Sequence, residues 1–296
     1  EASLASYDLA IAHGTNTHEV WFERGCLLCQ LKRYQEAIKS FDRALAYRPT
    51  HLESWNNRAI AYCQLGAYEE AVQSYDKALQ MGTAQVMDWY FHGTLLAHLD
   101  RYSEAIYSYD QALICDANRP LIWCDRGIAL SWLEQFPAAI SSYDQALKRQ
   151  PDLYQAWFRR GLALKELDRP TEALIAFESA LDIHALDPDI WAAQGLTLLE
   201  MEDYPAALIA HHQALQLDPQ NDQIWYNQAC CQAHLGEIDA AISSLTKAFQ
   251  LHPEQIRTLA STDPDFAELQ DHPDFQALLH RQTGESPMPS SLSMFN

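Results

Sequence analysis

Apolar residues recur along this chain at helical spacing in runs of about a dozen, separated by short polar turns. From Leu121 to Leu133 they fall on one helical stripe, Glu134 and Gln135 make a polar turn, and Phe136 to Lys148 carries a second stripe before Pro151 stops it. A turn this short predicts an antiparallel helix pair. The pair then recurs: Trp21, Trp55, Trp89, Trp123, Trp157, Trp191 and Trp225 each lie 34 residues after the last. If each tryptophan is position 4 of a repeat, position 8 is Gly25, Ala59, Gly93, Gly127, Gly161, Gly195 and Ala229. Position 20 is alanine throughout, from Ala37 to Ala241, and so is position 27, from Ala44 to Ala248. Position 24 is large in every repeat: Phe41, Tyr75, Tyr109, Tyr143, Phe177, His211 and Leu245. Small residues at 8, 20 and 27 let two helix backbones approach, and the large ones at 4 and 24 are expected to fill the space between them.

A fixed period of this size with W…G…Y…A…F…A…P resembles the tetratricopeptide repeat (TPR) family over residues 18–253, in seven units without an insertion. The resemblance implies an all-α fold, an α-solenoid whose antiparallel helix pairs stack into a right-handed superhelix approaching one full turn. One pair cannot bury both of its faces, so neighbours must stack. Residues 1–17 read as the second helix of a truncated repeat, since Tyr7 and Ala10 fall at positions 24 and 27 and Ser6-Tyr7-Asp8 returns at 74–76, 108–110 and 142–144. With its first helix missing and no initiating methionine, the chain reads as a piece of a longer protein. Its apolar residues Leu4, Tyr7 and Ile11 would then make a sticky end and end-to-end self-association.

After Pro253 the period lapses. Residues 254–282 carry Asp263-Pro264-Asp265-Phe266 and His272-Pro273-Asp274-Phe275, each proline at an expected first helical position. They resemble the helical caps that close bacterial TPR arrays. Residues 283–296, rich in Ser and Pro, read as a disordered tail in which Met294-Phe295 is a fraying end and not a docking motif.

Charge narrows the partners. Forty acidic residues against twenty basic give a formal charge of −20, which repels a phosphate backbone and disfavours nucleic acid. There is no apolar run long enough for a membrane span and no secretory leader pattern, so no membrane partner is expected. Seven cysteines without a pairing framework fit reduced thiols of a cytoplasmic protein. Cys26-x-x-Cys29 with Cys63, and His98 further off, is the nearest approach to a metal set, but a CxxC inside a helix lacks the turn a zinc site uses. Small groups packing on a helix face account for these thiols, with thiol-based metal delivery the minor alternative. No GxSxG, no metal-binding His pair and no phosphate-cradling glycine loop is present, so no enzyme activity and no cofactor is expected.

Position 7 reads Arg24, Arg58, His92, Arg126, Arg160, Gln194 and Gln228, while position 25 reads Asp42, Asp76, Asp110, Asp144, Glu178, His212 and Thr246. Base and acid fade together, which predicts arginine–carboxylate pairs between the two helices of one repeat. The TPR resemblance implies that positions 2, 5, 9, 12 and 13 line a concave groove for a partner peptide. The carboxylate clamp of chaperone-tail binders, Lys at 5 with Asn at 9, is absent. The expected groove holds Phe22, Asn56, Ile60, Tyr90, Phe91, Thr94, Ile128, Trp132, Phe158, Leu162, Leu196 and Leu199, with Lys165 placed to fix an acidic group. Its large members cluster from Tyr90 to Leu162. The expected function is an adaptor or scaffold that binds an apolar or amphipathic protein segment. The alternative is the recruiting domain of a larger enzyme or signalling protein.

Overall fold

The computed structural model describes residues 2–82 and 85–280, and every regular element among them is helical. The tail expected at 283–296 and the last two residues of the cap lie outside the described residues. Helix α1 (Ala2–Ala12) is followed by seven pairs: α2 (His18–Gln30) with α3 (Tyr34–Tyr47), α4 (Leu52–Gln64) with α5 (Tyr68–Leu79), α6 (Val86–His98) with α7 (Tyr102–Cys115), and α8 (Pro120–Trp132) with α9 (Phe136–Arg149). Then come α10 (Tyr154–Glu166) with α11 (Pro170–Ile183), α12 (Pro188–Glu200) with α13 (Tyr204–Leu217), and α14 (Asp222–His234) with α15 (Ile238–Leu251). Helix α16 (Pro253–Ala260), a 3-10 helix (Pro264–Leu269) and α17 (Pro273–His280) close the described chain. The chain divides into two compact bodies, Glu1–Ala156 and Trp157–Asn296. Within each, helix pairs stack on their neighbours as an α-solenoid.

In five of the pairs the core is one ring lying on a glycine. Tyr143 is fully buried, and a Cβ on Gly127 would fall 2.5 Å from its ring. Phe41 stands in the same relation to Gly25, and Phe177 to Gly161, at 2.4 Å. The alanines at positions 20 and 27 are sealed around that contact. The turn between the helices is equally uniform. Position 15 takes positive φ in all seven repeats, yet is glycine only at Gly66 and Gly236; Lys32, Asp100, Glu134, Asp168 and Glu202 hold φ between 55° and 62°. After it the backbone N–H of the next residue reaches back five residues, as from Gln135 to Leu130, closing the first helix and reversing the chain.

The tryptophans fill the core only in part, Trp89 and Trp123 packing against one buried cluster and Trp191 and Trp225 against another. They are half-buried at the junction, where Trp55 donates its indole N–H to the Pro49 carbonyl at 2.8 Å and Trp123 to that of Ala117 at 2.9 Å. Trp191 and Trp225 repeat this in the C-terminal body, on the carbonyls of Ala185 and Pro219. In these four the indole N–H is satisfied and the ring clamps the loop that enters the repeat, whereas the Trp21 N–H is buried without a partner among the described residues.

The arginine ladder also differs from expectation. Arg126 on α8 donates Nε to Asp110 on α7 at 2.6 Å, Nη1 to Ser142 on α9 at 2.8 Å, and lies over Trp123 at 5.9 Å. Arg24 does the same with Asp8 and Ser40, and Arg58 pairs with Asp42 at 3.0 Å. The acid therefore belongs to the preceding repeat, because the side chain of position 7 points toward the incoming neighbour and not across its own pair. The ladder rivets repeat to repeat. At α6 the base is His92, whose Nδ1 meets Ser108 Oγ at 2.9 Å while Nε2 sits 3.2 Å from Asp76, within ion-pair reach but off the hydrogen-bonding direction. The shorter side chain leaves a cavity of about 450 Å³ lined by Asp76, Trp89, Glu104 and Tyr107.

At the start of the N-terminal body, α1 packs on α2 and buries Leu4 with Leu28 and Phe41. Leu4 is thus no part of a sticky end, because its own chain covers it. Tyr7 and Ile11 are half-buried, and Leu9 is the exposed apolar residue there. In the C-terminal body, Pro264 and Pro273 open their elements, and Phe266, Leu269, Phe275 and Leu278 join Tyr226, Leu245 and Phe249 in one core.

Candidate partner-binding face

The expected groove residues lie on the first helices of the pairs, and the structure treats them unequally. In the N-terminal body Ile60, Phe91 and Trp132 are exposed, Trp132 by 66%. Phe22 is half-buried, edge-on to His51 and tilted on Phe41. Thr94 donates Oγ1 to the Tyr90 carbonyl, and Ile128 is half-buried. In the C-terminal body Phe158 leans on Phe177 with ring centroids 6.1 Å apart, Leu162 and Leu196 are half-buried, and Leu199 packs against the core of the last pair. Lys165 Nζ lies 2.9 Å from Glu200. An acidic ligand group at Lys165 would have to displace Glu200, so that contact is already met within the chain.

Two kinds of group on this face escaped the sequence reading. One is a set of aromatics at position 17, the first residue of the second helix, aromatic in five of the seven repeats; three of them pack on position 13 of the next repeat. Tyr68 meets His98 at 4.4 Å, Tyr102 stacks on Trp132 at 5.7 Å and 8°, and Tyr204 stacks on His234 at 4.3 Å and 5°. The other is buried acid. Asp88 is buried, receives Asn56 Nδ2 at 2.6 Å and caps its own helix through the Gln85 N–H. Asp125, half-buried, accepts the Tyr90 hydroxyl at 2.8 Å. Burial pushes the Asp125 carboxyl up, opposed only by that hydrogen bond. The Tyr90 hydroxyl is pushed above its usual range, by burial first and then by Asp125. A repeating tyrosine or phenylalanine at position 17 was the available signal for that set. Asp125 had none, because position 6 is occupied by unrelated residues elsewhere.

Thr94, Tyr102, Tyr109, Asp125, Ile128 and Trp132, with two alanines, line a cavity of about 250 Å³ between α6, α7 and α8. Here the exposed Trp132, the half-buried Tyr102 and the buried Tyr109 line one cavity with the half-buried carboxylate of Asp125.

Among the described residues no cysteine is in a disulfide, and burial raises Cys26, Cys29 and Cys63, Cys26 to about 11, so these three stay protonated near neutrality. The group that comes together with metal-like spacing among the described residues is instead Cys230, Asp263 and Asp265, with ligand atoms within 4.8 Å of one another. Its carboxylates are engaged in fastening the cap: Asp263 accepts from the Tyr226 hydroxyl and the Asp265 N–H, and Asp265 meets His234 Nε2 at 2.9 Å. Burial and those carboxylates push the Cys230 thiol far up. No described helix is long and apolar enough to cross a membrane.

Comparison with known proteins agrees with this geometry. One tetratricopeptide repeat profile matches residues 22–85 and 124–188, and a second matches residues 198–261. No curated protein matches the chain. Among solved structures, the C-terminal part of a TPR repeat-containing protein from Cytophaga hutchinsonii is similar at 17% identity and TM-score 0.67, over 79% of this chain and 96% of that one. A tetratricopeptide repeat protein from Parabacteroides merdae is similar at 16% identity and TM-score 0.61, over 82% and 96%. YrrB, described as a TPR protein with an unusual peptide-binding site, is similar at 20% identity and TM-score 0.56, over 60% and 92%. At such identities the likeness is one of fold, and it joins the repeat profiles, the ring-on-glycine cores and the uniform turns in one conclusion: the chain belongs to the tetratricopeptide repeat family.

Proposed function

We propose that this chain is a protein-binding scaffold or adaptor that holds an apolar or amphipathic segment of a partner against its first helices. The observation that carries this reading is the set of exposed large side chains on that face, Ile60, Phe91 and Trp132, with the buried Asp88 and the half-buried Asp125 on the same helices. Exposed aromatics in such a setting are the usual anchors of binding energy, and a ring of polar groups around them excludes water. Stacked repeats present such anchors at regular intervals, which suits a helix or extended strand of the partner. YrrB, similar in fold, is described as having a peptide-binding site. Seven cysteines without a disulfide among the described residues suit work in the reducing cytoplasm. The cap, from Pro253 onward, closes the apolar end of the array in this reading.

The test is site-specific cross-linking and capture. A photo-reactive residue at Phe91 or Trp132 should trap a partner from cell extract, and Trp132→Ser with Phe91→Ser should reduce capture at unchanged melting temperature. Ile114, 76% exposed on a second helix, is the control. Equal capture through Ile114 and Trp132 would sink the assignment of this face.

A further inference from the structure

The cavity between α6, α7 and α8 carries a more specific chemistry than an apolar groove. Its walls are the rings of Tyr102, Tyr109 and Trp132, and its polar groups are Asp125 and Thr94. Trp132 and Tyr102 lie nearly parallel, so the indole is held flat on one face while two-thirds of the side chain remains open to solvent. Asp125 receives one hydrogen bond, from the Tyr90 hydroxyl, and forms no ion pair among the described residues. The neighbouring base does not serve it, because Arg126 is directed to Asp110 and Ser142. Thr94 Oγ1 spends its proton on the Tyr90 carbonyl, which leaves its lone pairs as acceptors.

We infer that this cavity is a receptor for a guanidinium group, the arginine side chain of a bound partner segment. A partly buried carboxylate without a counter-charge beside a fixed aromatic plane is complementary to a planar cation, which stacks on the ring and donates N–H groups to the acid. Thr94 supplies one more acceptor. An ammonium is compact and strongly hydrated and would use the acid but not the plane. A hard divalent ion needs six or more oxygens, and a single carboxylate lines this cavity. The chain's net charge of −20 draws a basic segment toward the site. The inference rests on the reading of this face as partner-binding, and it replaces the acidic ligand group expected at Lys165 with a basic one at Asp125.

The experiment uses the whole chain and a small probe. Nα-acetyl-arginine methylamide is titrated in parallel with its citrulline analogue, which has nearly the same shape without charge, while the indole N–H resonances are followed by NMR and Trp132 is assigned from Trp132→Phe. The arginine probe should shift the Trp132 resonance saturably. The citrulline probe should bind about tenfold more weakly or less, the loss of one charge-assisted contact. Asp125→Asn should remove the preference for arginine, and Trp132→Ala, at an exposed position, should weaken arginine binding in a folded protein. Equal response to both probes, a shift that never saturates, or an Asp125→Asn chain that still prefers arginine overturns the inference; the first two need no variant to fold. Arginine binding together with failed partner capture would instead sink the scaffold reading and leave this site standing.

Discussion

At the scale of single residues, the informative positions are those where one repeat departs from the other six. His211 occupies the place of Phe41 and Phe177, is fully buried, and has no hydrogen-bond partner for either ring nitrogen among the described residues. Burial lowers its pKa from 6.5 to about 4. The folded protein therefore binds this proton less readily than the unfolded chain. The full stability is present above pH 6.5 and is lost as pH falls toward 4, by about 3 kcal/mol in total. His211→Phe should abolish that acid loss and add about 1–3 kcal/mol at neutral pH by removing the unsatisfied nitrogens. Urea melts across this pH range check both, and an unchanged acid profile in the variant would exclude His211 as the source. Gly127 gives a complementary case. Gly127→Ala puts a methyl 2.5 Å from the Tyr143 ring and should cost about 1–3 kcal/mol. Adding Tyr143→Leu reproduces the Ala229 and Leu245 pair of the last repeat and should recover part of the loss, readable as a coupling energy in a double-mutant cycle.

At the scale of elements, the turn and the rivet are the repeated devices. Glu134 holds φ at 58°, where a side chain crowds the carbonyl, while Gly66 and Gly236 do the same work without that crowding. Glu134→Gly should stabilise the protein by about 0.5–1 kcal/mol, net of the greater freedom that glycine gives the unfolded chain. A fall in melting temperature would show that Glu134 makes an offsetting contact. Arg126 joins three helices through Asp110, Ser142 and Trp123. Because the guanidinium is only about one-fifth exposed and serves two acceptors, Arg126→Met should cost about 1–3 kcal/mol. Arg126→Lys should restore little, since one ammonium cannot span both partners over the indole. Denaturant midpoints of the two variants separate a planar rivet from a generic positive charge.

At the scale of the whole molecule, each stacked repeat depends on its neighbours, and the end repeats on whatever covers them. In the C-terminal body the cover is Phe266, fully buried against Tyr226 at 5.4 Å and Phe275 at 5.9 Å. Phe266→Ala should cost about 3–5 kcal/mol locally. Since that exceeds the stability of many single repeats, hydrogen-exchange protection should fall through α14 and α15 first. Uniform loss across both bodies would mean that the array unfolds as one unit and not from its end.

The sequence by itself determined the fold class and the two-helix design, because both rest on periods that repetition makes visible: 34 residues for the repeat and helical spacing within it. It also singled out the right columns of tryptophan, arginine and aspartate. Their partners were decided by tertiary structure. A side chain at position 7 or 13 meets whatever the packing of the neighbouring pair brings to it, so Arg126 reaches back to Asp110, Trp132 lies on Tyr102, and Trp55, Trp123, Trp191 and Trp225 hold loop carbonyls. A period says which residues are equivalent, but not on which side of the junction each finds its partner. Asp125 was illegible for a further reason: it occurs once, and only the fold shows that it lines a cavity with no ion-pair partner among the described residues.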